Sequence, residues 1–143
     1  MKDVLITINS IHNVDGRISI GPELVTEGSY DFAADGARLA YMESELTGMT
    51  GTKTAFRIKP DEVILSRRGA VNSQMVFRRG EHNRFLYNTE YGAMTVGLDT
   101  RRLENHLGEH GGDLEIEFAL DFEQSPFSRN KFQIKVKEKG AQA

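Results

Sequence analysis

The sequence is a series of short runs in which apolar and polar residues alternate, with turn residues interrupting the runs about every ten positions. Side chains alternate between the two faces of a β-strand, so each run is typical of a strand with one buried face. Strong helical periodicity is absent. Consecutive strands joined by short turns predict an all-β protein, a single antiparallel up-and-down β-barrel of about 8–10 strands with little or no helix.

The clearest alternation lies in the last third of the chain. Its apolar residues on one face are predicted to be buried in the core: Leu114, Ile116, Phe118, Leu120, Phe132, Ile134 and Val136. The segments 4–9 and 132–136 are rich in β-branched or aromatic residues, and leaving both as exposed edges would invite aggregation. We therefore expect the first and last strands to pair and close the barrel. Residues 1–137 are predicted to form one barrel domain, with 138–143 as a frayed tail.

Length and composition narrow the class of protein. A chain of 143 residues fits a single domain, and its net charge of −3 argues against a general affinity for nucleic acid. There is no cysteine, which excludes disulfides and cysteine-based zinc sites. The sequence has no run of about 18 apolar residues, and its first residues are too short and interrupted for a signal peptide. We expect a cytoplasmic protein without a membrane segment.

Residues 41–54 are predicted to form a strand, a turn containing glycine and a second strand. The second strand has one face with lysine and arginine, so the other face is predicted to point inward; it carries Thr52, Thr54, Phe56 and Ile58. Part of this segment resembles a phosphate-binding loop. However, Thr52 stands where that motif needs glycine before the lysine, and a strand is predicted to follow instead of a helix. A hairpin turn is the better interpretation.

Several segments together resemble one known family, the small bacterial β-barrel proteins typified by YwiB, which have no assigned function and are grouped with calycin-like and lipocalin-like barrels. The segments that carry the resemblance are 24–28, 41–54, 67–77, 89–92 and 128–130. In the family a proline often precedes the Tyr-Gly pair, whereas this sequence has Glu90 there. The resemblance implies the barrel and implies no catalytic residue.

Two acids and one arginine form the main polar set. Glu43 and Glu45 follow Tyr41 at strand period, and Arg67 follows an apolar run. Glu43 or Glu45 is therefore predicted to lie within reach of Arg67, inside the barrel or at its mouth. A buried charge must pair, become neutral or bind something. A structural polar network and a ligand site both fit this pattern. The two acids project in parallel, which does not suit the flanking carboxyl groups of a glycosidase.

Other sequence patterns give weaker indications of a functional site. His106 and His110 could share a metal if residues 103–110 formed a helical turn, but a strand end fits equally well and a solvated loop is the simpler interpretation. The pairs Arg67-Arg68, Arg78-Arg79 and Arg101-Arg102 could form a basic rim for nucleic acid, or could simply be charged strand ends. We expect no metal site, no cofactor and no catalytic residue, and the oligomeric state is not indicated.

The sequence thus favours a non-catalytic barrel that binds a small molecule in its interior. The candidate ligand-binding residues are Tyr41, Glu43, Glu45, Thr54, Arg67, Ser73 and Tyr87. The alternative is a module with a filled interior that binds protein or RNA on its outer surface.

Overall fold

The computed structural model describes residues 2–14, 16–21, 23–44, 49–69, 72–89, 92–122 and 125–139, of which 87–89 and 125–127 are described by their backbone only. These residues form eleven strands: β1 Lys2–Val14, β2 Arg17–Ile20, β3 Leu24–Ala33, β4 Gly36–Met42, β5 Lys53–Ile58, β6 Glu62–Arg68, β7 Ser73–Arg78, β8 His82–Thr89, β9 Gly92–Gly108, β10 Gly111–Phe122 and β11 Ser125–Glu138. Within these ranges no helix is long and apolar enough to span a membrane.

The strands form one antiparallel sheet with the order β7-β6-β5-β4-β3-β1-β11-β10-β9-β8. Almost every neighbour in the sheet is also a neighbour in the chain, which is the pattern of an up-and-down barrel. Strand β2 lies outside this order and pairs with the C-terminal end of β1. It lies on the same edge of β1 as β3, which pairs with the N-terminal part of that strand. The predicted all-β barrel is confirmed, with ten strands around it.

The first and last strands pair as predicted. The β1–β11 ladder runs from Val4 opposite Glu138 to Asn13 opposite Arg129. The sheet instead ends at β7 and β8, two strands that follow each other in the chain. There the backbone of Gly80 and Glu81 bonds to Thr100 of β9 at 3.0 and 3.2 Å. A turn therefore links the two sides of this seam, and the barrel is nearly closed.

The interior is built in layers, because residues directly opposite each other in antiparallel strands point to the same face. Strands β4 to β7 contribute two fully apolar layers. The first contains Ala37, Ile58, Val63 and Phe77, and the second contains Leu39, Phe56, Leu65 and Met75. All eight residues are buried, so apolar side chains fill this part of the barrel interior.

The other half of the barrel contributes the predicted core residues. Five of the seven are buried, while Leu120 and Phe132 are partly buried and pack against the same core. Phe118 joins the two halves: its ring meets Phe77 at a centroid distance of 4.9 Å and Phe132 at 5.2 Å, both edge to face. The predicted inner face of β10 and β11 is confirmed.

The ambiguous segment 103–110 is strand rather than helix, since β9 continues to Gly108. The last strand reaches Glu138, and the amide of Lys139 donates to the carbonyl of Asp3 at 2.9 Å. The β9–β10 ladder shifts register between Glu117 and Phe118, which marks a β-bulge.

Gly28 lies in the middle of β3, where a bend or bulge is a common reason for glycine. The β1–β3 ladder passes it without a register shift, from Lys2 opposite Tyr30 to Ile8 opposite Leu24. A Cβ atom at Gly28 would lie 2.4 Å from the carbonyl oxygen of Ala40. The glycine therefore allows a close approach of β4, and beyond this point β3 and β4 no longer pair.

Candidate functional site

A polar layer follows the two apolar layers of β4 to β7. Its four members face one another across the strands in the order Tyr41, Thr54, Arg67 and Ser73. Each lies two residues along its strand from an apolar core residue, so the alternation that fills the core also turns these polar groups inward. The layer stands at the end of the barrel interior, where β4 and β6 finish.

Glu43 lies one step beyond this layer, on the same face as Tyr41. Its backbone amide donates to the carbonyl of Thr52 at 2.8 Å, which fixes its position opposite the buried Thr52. The Thr54 hydroxyl donates to Glu43 Oε2 at 2.6 Å, and Arg67 Nε lies 3.9 Å from the same oxygen. The predicted approach of Glu43 to Arg67 is confirmed.

The cluster is deeply placed but not sealed. The Glu43 side chain is 1% exposed and the Arg67 side chain 19% exposed, so only the arginine of this pair has an appreciable contact with solvent. Three buried atoms of the cluster have no hydrogen-bond partner within the described chain: Glu43 Oε1, Arg67 Nε and Ser73 Oγ. At 3.9 Å Arg67 attracts Glu43 electrostatically without forming a hydrogen bond, which needs a distance of about 3.2 Å or less.

Tyr41 is a neutral donor in this setting. Burial raises the pKa of its phenol, and the nearby Glu43 carboxylate raises it further, while Arg67 acts in the opposite direction. A phenol with a raised pKa keeps its proton, so Tyr41 can donate a hydrogen bond and adds no charge to the cluster.

A surface groove lies where β3 and β4 separate, and it includes Tyr41 of the cluster. It has a volume of about 730 Å³, and it is lined by Gly28 and Ser29 on one side and by Tyr41 and Met42 on the other. Tyr41 is thus shared by the groove and the polar layer.

The remaining candidate residues lie elsewhere. Glu45 is outside the described residues, and Tyr87 belongs to β8 with its side chain outside the described part. His106 is 3.9 Å from Glu104 and His110 is 3.2 Å from Glu138, and both histidines are exposed. Since their segment is a strand and a turn, the helical metal site considered for them does not form. The segment likened to a phosphate loop leads into strand β5 at Lys53.

Four of the six arginines considered for a basic rim lie near an acid, Arg67 through its approach to Glu43. Arg78 pairs with Glu62, Arg101 lies 3.6 Å from Asp99, and Arg102 lies 2.9 Å from Glu104. Paired charges present little net positive potential to a phosphate backbone.

Thr52 was predicted to face inward, and it is buried beside Glu43. Another buried polar residue was not predicted. Asn130 is buried and lies 2.6 Å from the His12 ring nitrogen Nδ1 across β1 and β11. The local sequence does not predict that contact, because it depends on the register of two strands more than a hundred residues apart.

The fold and this cluster define a small antiparallel β-barrel, packed inside and polar at one end. A family model described as Domain of unknown function (DUF1934) matches residues 6–134, and the chain belongs to this family. The crystal structure of the YwiB protein from Bacillus subtilis is similar, with a TM-score of 0.75 and 21% sequence identity over 94% of this chain and 91% of that one. No curated protein matches the chain.

Proposed function

We propose that this protein is a non-catalytic binding protein for a small molecule held by the polar cluster of Tyr41, Glu43, Thr54, Arg67 and Ser73. The observation that carries the proposal is the set of three buried polar atoms without a partner in the described chain. The apolar layers fill the interior beside the cluster, so the ligand is expected at the end of the barrel rather than in a central cavity.

The energetic argument supports a partner outside the protein. Leaving a buried polar atom unsatisfied costs about 1–3 kcal/mol, so three such atoms would cost about 3–9 kcal/mol. A domain of this kind is stable by only about 5–15 kcal/mol. A cost of that size within one cluster is more readily accepted where a ligand relieves it.

The test is native mass spectrometry of the protein purified from its own cells, compared with a triple variant, Glu43→Leu/Thr54→Val/Arg67→Met. The variant replaces each polar side chain by an apolar one of similar size, so it should remain folded. We expect the natural protein to carry a small molecule that the variant has lost.

Two outcomes would overturn the proposal. One is a natural protein that shows only the mass of the bare chain and gains no thermal stability from a metabolite extract. The other is a molecule that remains bound at the same level to the folded triple variant.

A second candidate function is favoured by the outer surface of β1, β2 and β3. Its exposed apolar side chains are Leu5, Ile11, Ile18, Ile20 and Val25, which we call the outer patch. Ile18 and Ile20 are 68% and 77% exposed, and β2 pairs only with β1 in the described chain. Exposed apolar residues on a free strand edge suit an extended segment of a protein partner.

The variant Ile18→Lys/Ile20→Lys tests this second candidate against Leu86→Lys, an exposed apolar position on β8. A protein that co-purifies with the natural chain and with Leu86→Lys, but not with the double variant, would support it. Recovery of the same protein with all three would contradict it. Since these residues are exposed, the free energy of unfolding should change by less than about 0.5 kcal/mol.

A further inference from the structure

The unpartnered atoms of the polar cluster have complementary chemistry. Glu43 Oε1 is a carboxylate oxygen and can only accept a hydrogen bond, whereas Arg67 Nε can only donate one. The Ser73 hydroxyl can do either. A molecule that satisfies the cluster must therefore offer a donor to Glu43 and an acceptor to Arg67.

The ion pair is not closed by a hydrogen bond between its two side chains. A bidentate arginine–carboxylate pair has contacts of about 2.7–2.9 Å. Here Arg67 Nε stands 3.9 Å from Glu43 Oε2, and that oxygen already accepts from Thr54 at 2.6 Å. The second carboxylate oxygen and the arginine N–H therefore both remain without a hydrogen-bond partner in the described chain.

The charges of the cluster decide the charge of the ligand. The Glu43 carboxylate and the Arg67 guanidinium cancel, and Tyr41 keeps its proton because its pKa is raised by burial. A charged ligand would bring an unpaired charge into a site where the Glu43 side chain is almost wholly buried, which is costly. A neutral ligand avoids this cost.

The layer beneath the cluster sets the depth of the site. Leu39, Phe56, Leu65 and Met75 are all buried there, so a bound group stops at the polar layer. Resting on the function proposed above, we propose that the cluster binds an uncharged amide-type edge, in which an N–H and a carbonyl lie side by side, as in a lactam, a ureide or a primary amide. The N–H donates to Glu43 Oε1, and the carbonyl accepts from Arg67 Nε.

The test uses small probes and nuclear magnetic resonance, with the Arg67 Nε–H signal as a direct reporter. The probes are 2-pyrrolidinone, its N-methyl derivative, acetate and propylamine. We expect 2-pyrrolidinone to shift the Arg67 signal. N-methylpyrrolidinone lacks the donor for Glu43, so it should bind at least about tenfold more weakly. The two charged probes should bind more weakly still.

The variant Glu43→Gln tests the charge argument. It keeps the shape of the side chain but leaves Arg67 as an uncompensated positive charge, so the site should now prefer acetate over 2-pyrrolidinone. The control is Glu23→Gln, which makes the same change of net charge at an exposed position. The control should keep the preference of the natural protein.

The outcomes separate this inference from the broader function. Equal binding of 2-pyrrolidinone and its N-methyl derivative would overturn the amide class. So would a charged co-purifying molecule that the triple variant loses, although binding at the cluster would then stand. If neither the probes nor a metabolite extract shifts the Arg67 signal, both the ligand class and the proposed function are wrong.

Discussion

Replacing Phe118 by alanine should be among the most damaging single changes in the described core. Phe118 is 3% exposed and makes edge-to-face contacts with Phe77 and Phe132, so the change removes a buried ring and both contacts. Phenylalanine-to-alanine changes in protein cores cost about 3–5 kcal/mol. Each aromatic contact contributes about 0.5–1.5 kcal/mol beyond the buried area, which places Phe118→Ala toward the upper part of that range.

The matched control is Phe122→Ala on the same strand. Phe122 is 42% exposed, so its loss should cost less than about 1 kcal/mol. Urea unfolding followed by circular dichroism measures both free energies of unfolding, and the chain has no tryptophan to serve as a fluorescence probe. The variant Phe118→Leu keeps most of the apolar volume and should fall between the two. Equal costs for Phe118→Ala and Phe122→Ala would refute the assignment of the inner face of β10.

Three further predictions concern other parts of the barrel. Gly28→Ala should cost about 1–3 kcal/mol in a thermal or urea denaturation, because the new Cβ would meet the Ala40 carbonyl oxygen at 2.4 Å; an unchanged stability would contradict the close approach. Arg67→Met should lower the free energy of unfolding by about 3 kcal/mol, the lower end of the range for a broken buried pair, because the arginine is partly exposed. The triple apolar variant should recover most of this loss. An unchanged free energy of unfolding in Arg67→Met would show that the pair does not stabilise the fold. Hydrogen bonds from Lys2 and His110 hold the pKa of Glu138 below its ordinary value of 4.5, so the carboxylate stabilises the fold above pH 4.5 and this contribution is lost as the pH falls through the lowered pKa. A carboxyl titration by nuclear magnetic resonance should give a midpoint below 4.5 that rises in Lys2→Met. A midpoint that Lys2→Met does not move would contradict the contact.

Alternation was enough to predict which side chains face inward. The alternation of side chains alone predicted that Glu43 and Arg67 approach each other, because each lies two residues after an apolar residue that faces the interior. The same parity identified the buried faces of β5, β10 and β11. These predictions succeeded because burial of one face is imposed on every strand of a packed barrel.

The features that parity could not predict depend on register and on irregular pairing. The alignment of Tyr41, Thr54, Arg67 and Ser73 in one layer follows from the lengths of three separate connections. The register on β1 shifts by one residue between its pairing with β2 and its pairing with β3. Ile18 and Ile20 therefore face outward, whereas even-numbered residues of β3 such as Tyr30 face inward. An alternating pattern carries no sign of such a shift.

The position of the seam between β7 and β8 could not be predicted from the sequence either. The prediction considered the chain ends as the place where a barrel must close, and they do pair. The missing ladder lies between β7 and β8, which a short turn connects. Whether two consecutive strands complete a hairpin depends on the curvature accumulated by all the others, which no local segment reports.

The pairing of β1 with β11 has a consequence for the order of events in folding. This ladder joins residues as distant as Val4 and Glu138, so the entropy cost of closing a long loop must be overcome before its contacts stabilise the fold. The other ladders of the barrel connect strands that are close in sequence. A circular permutant joined from Lys139 to Lys2 and opened at the turn between β7 and β8 would have its strands in the same order along the chain as in the sheet. Every ladder would then be local. Such a chain should fold faster than the natural one while forming the same barrel, because the seam at which it begins and ends contains no ladder to break.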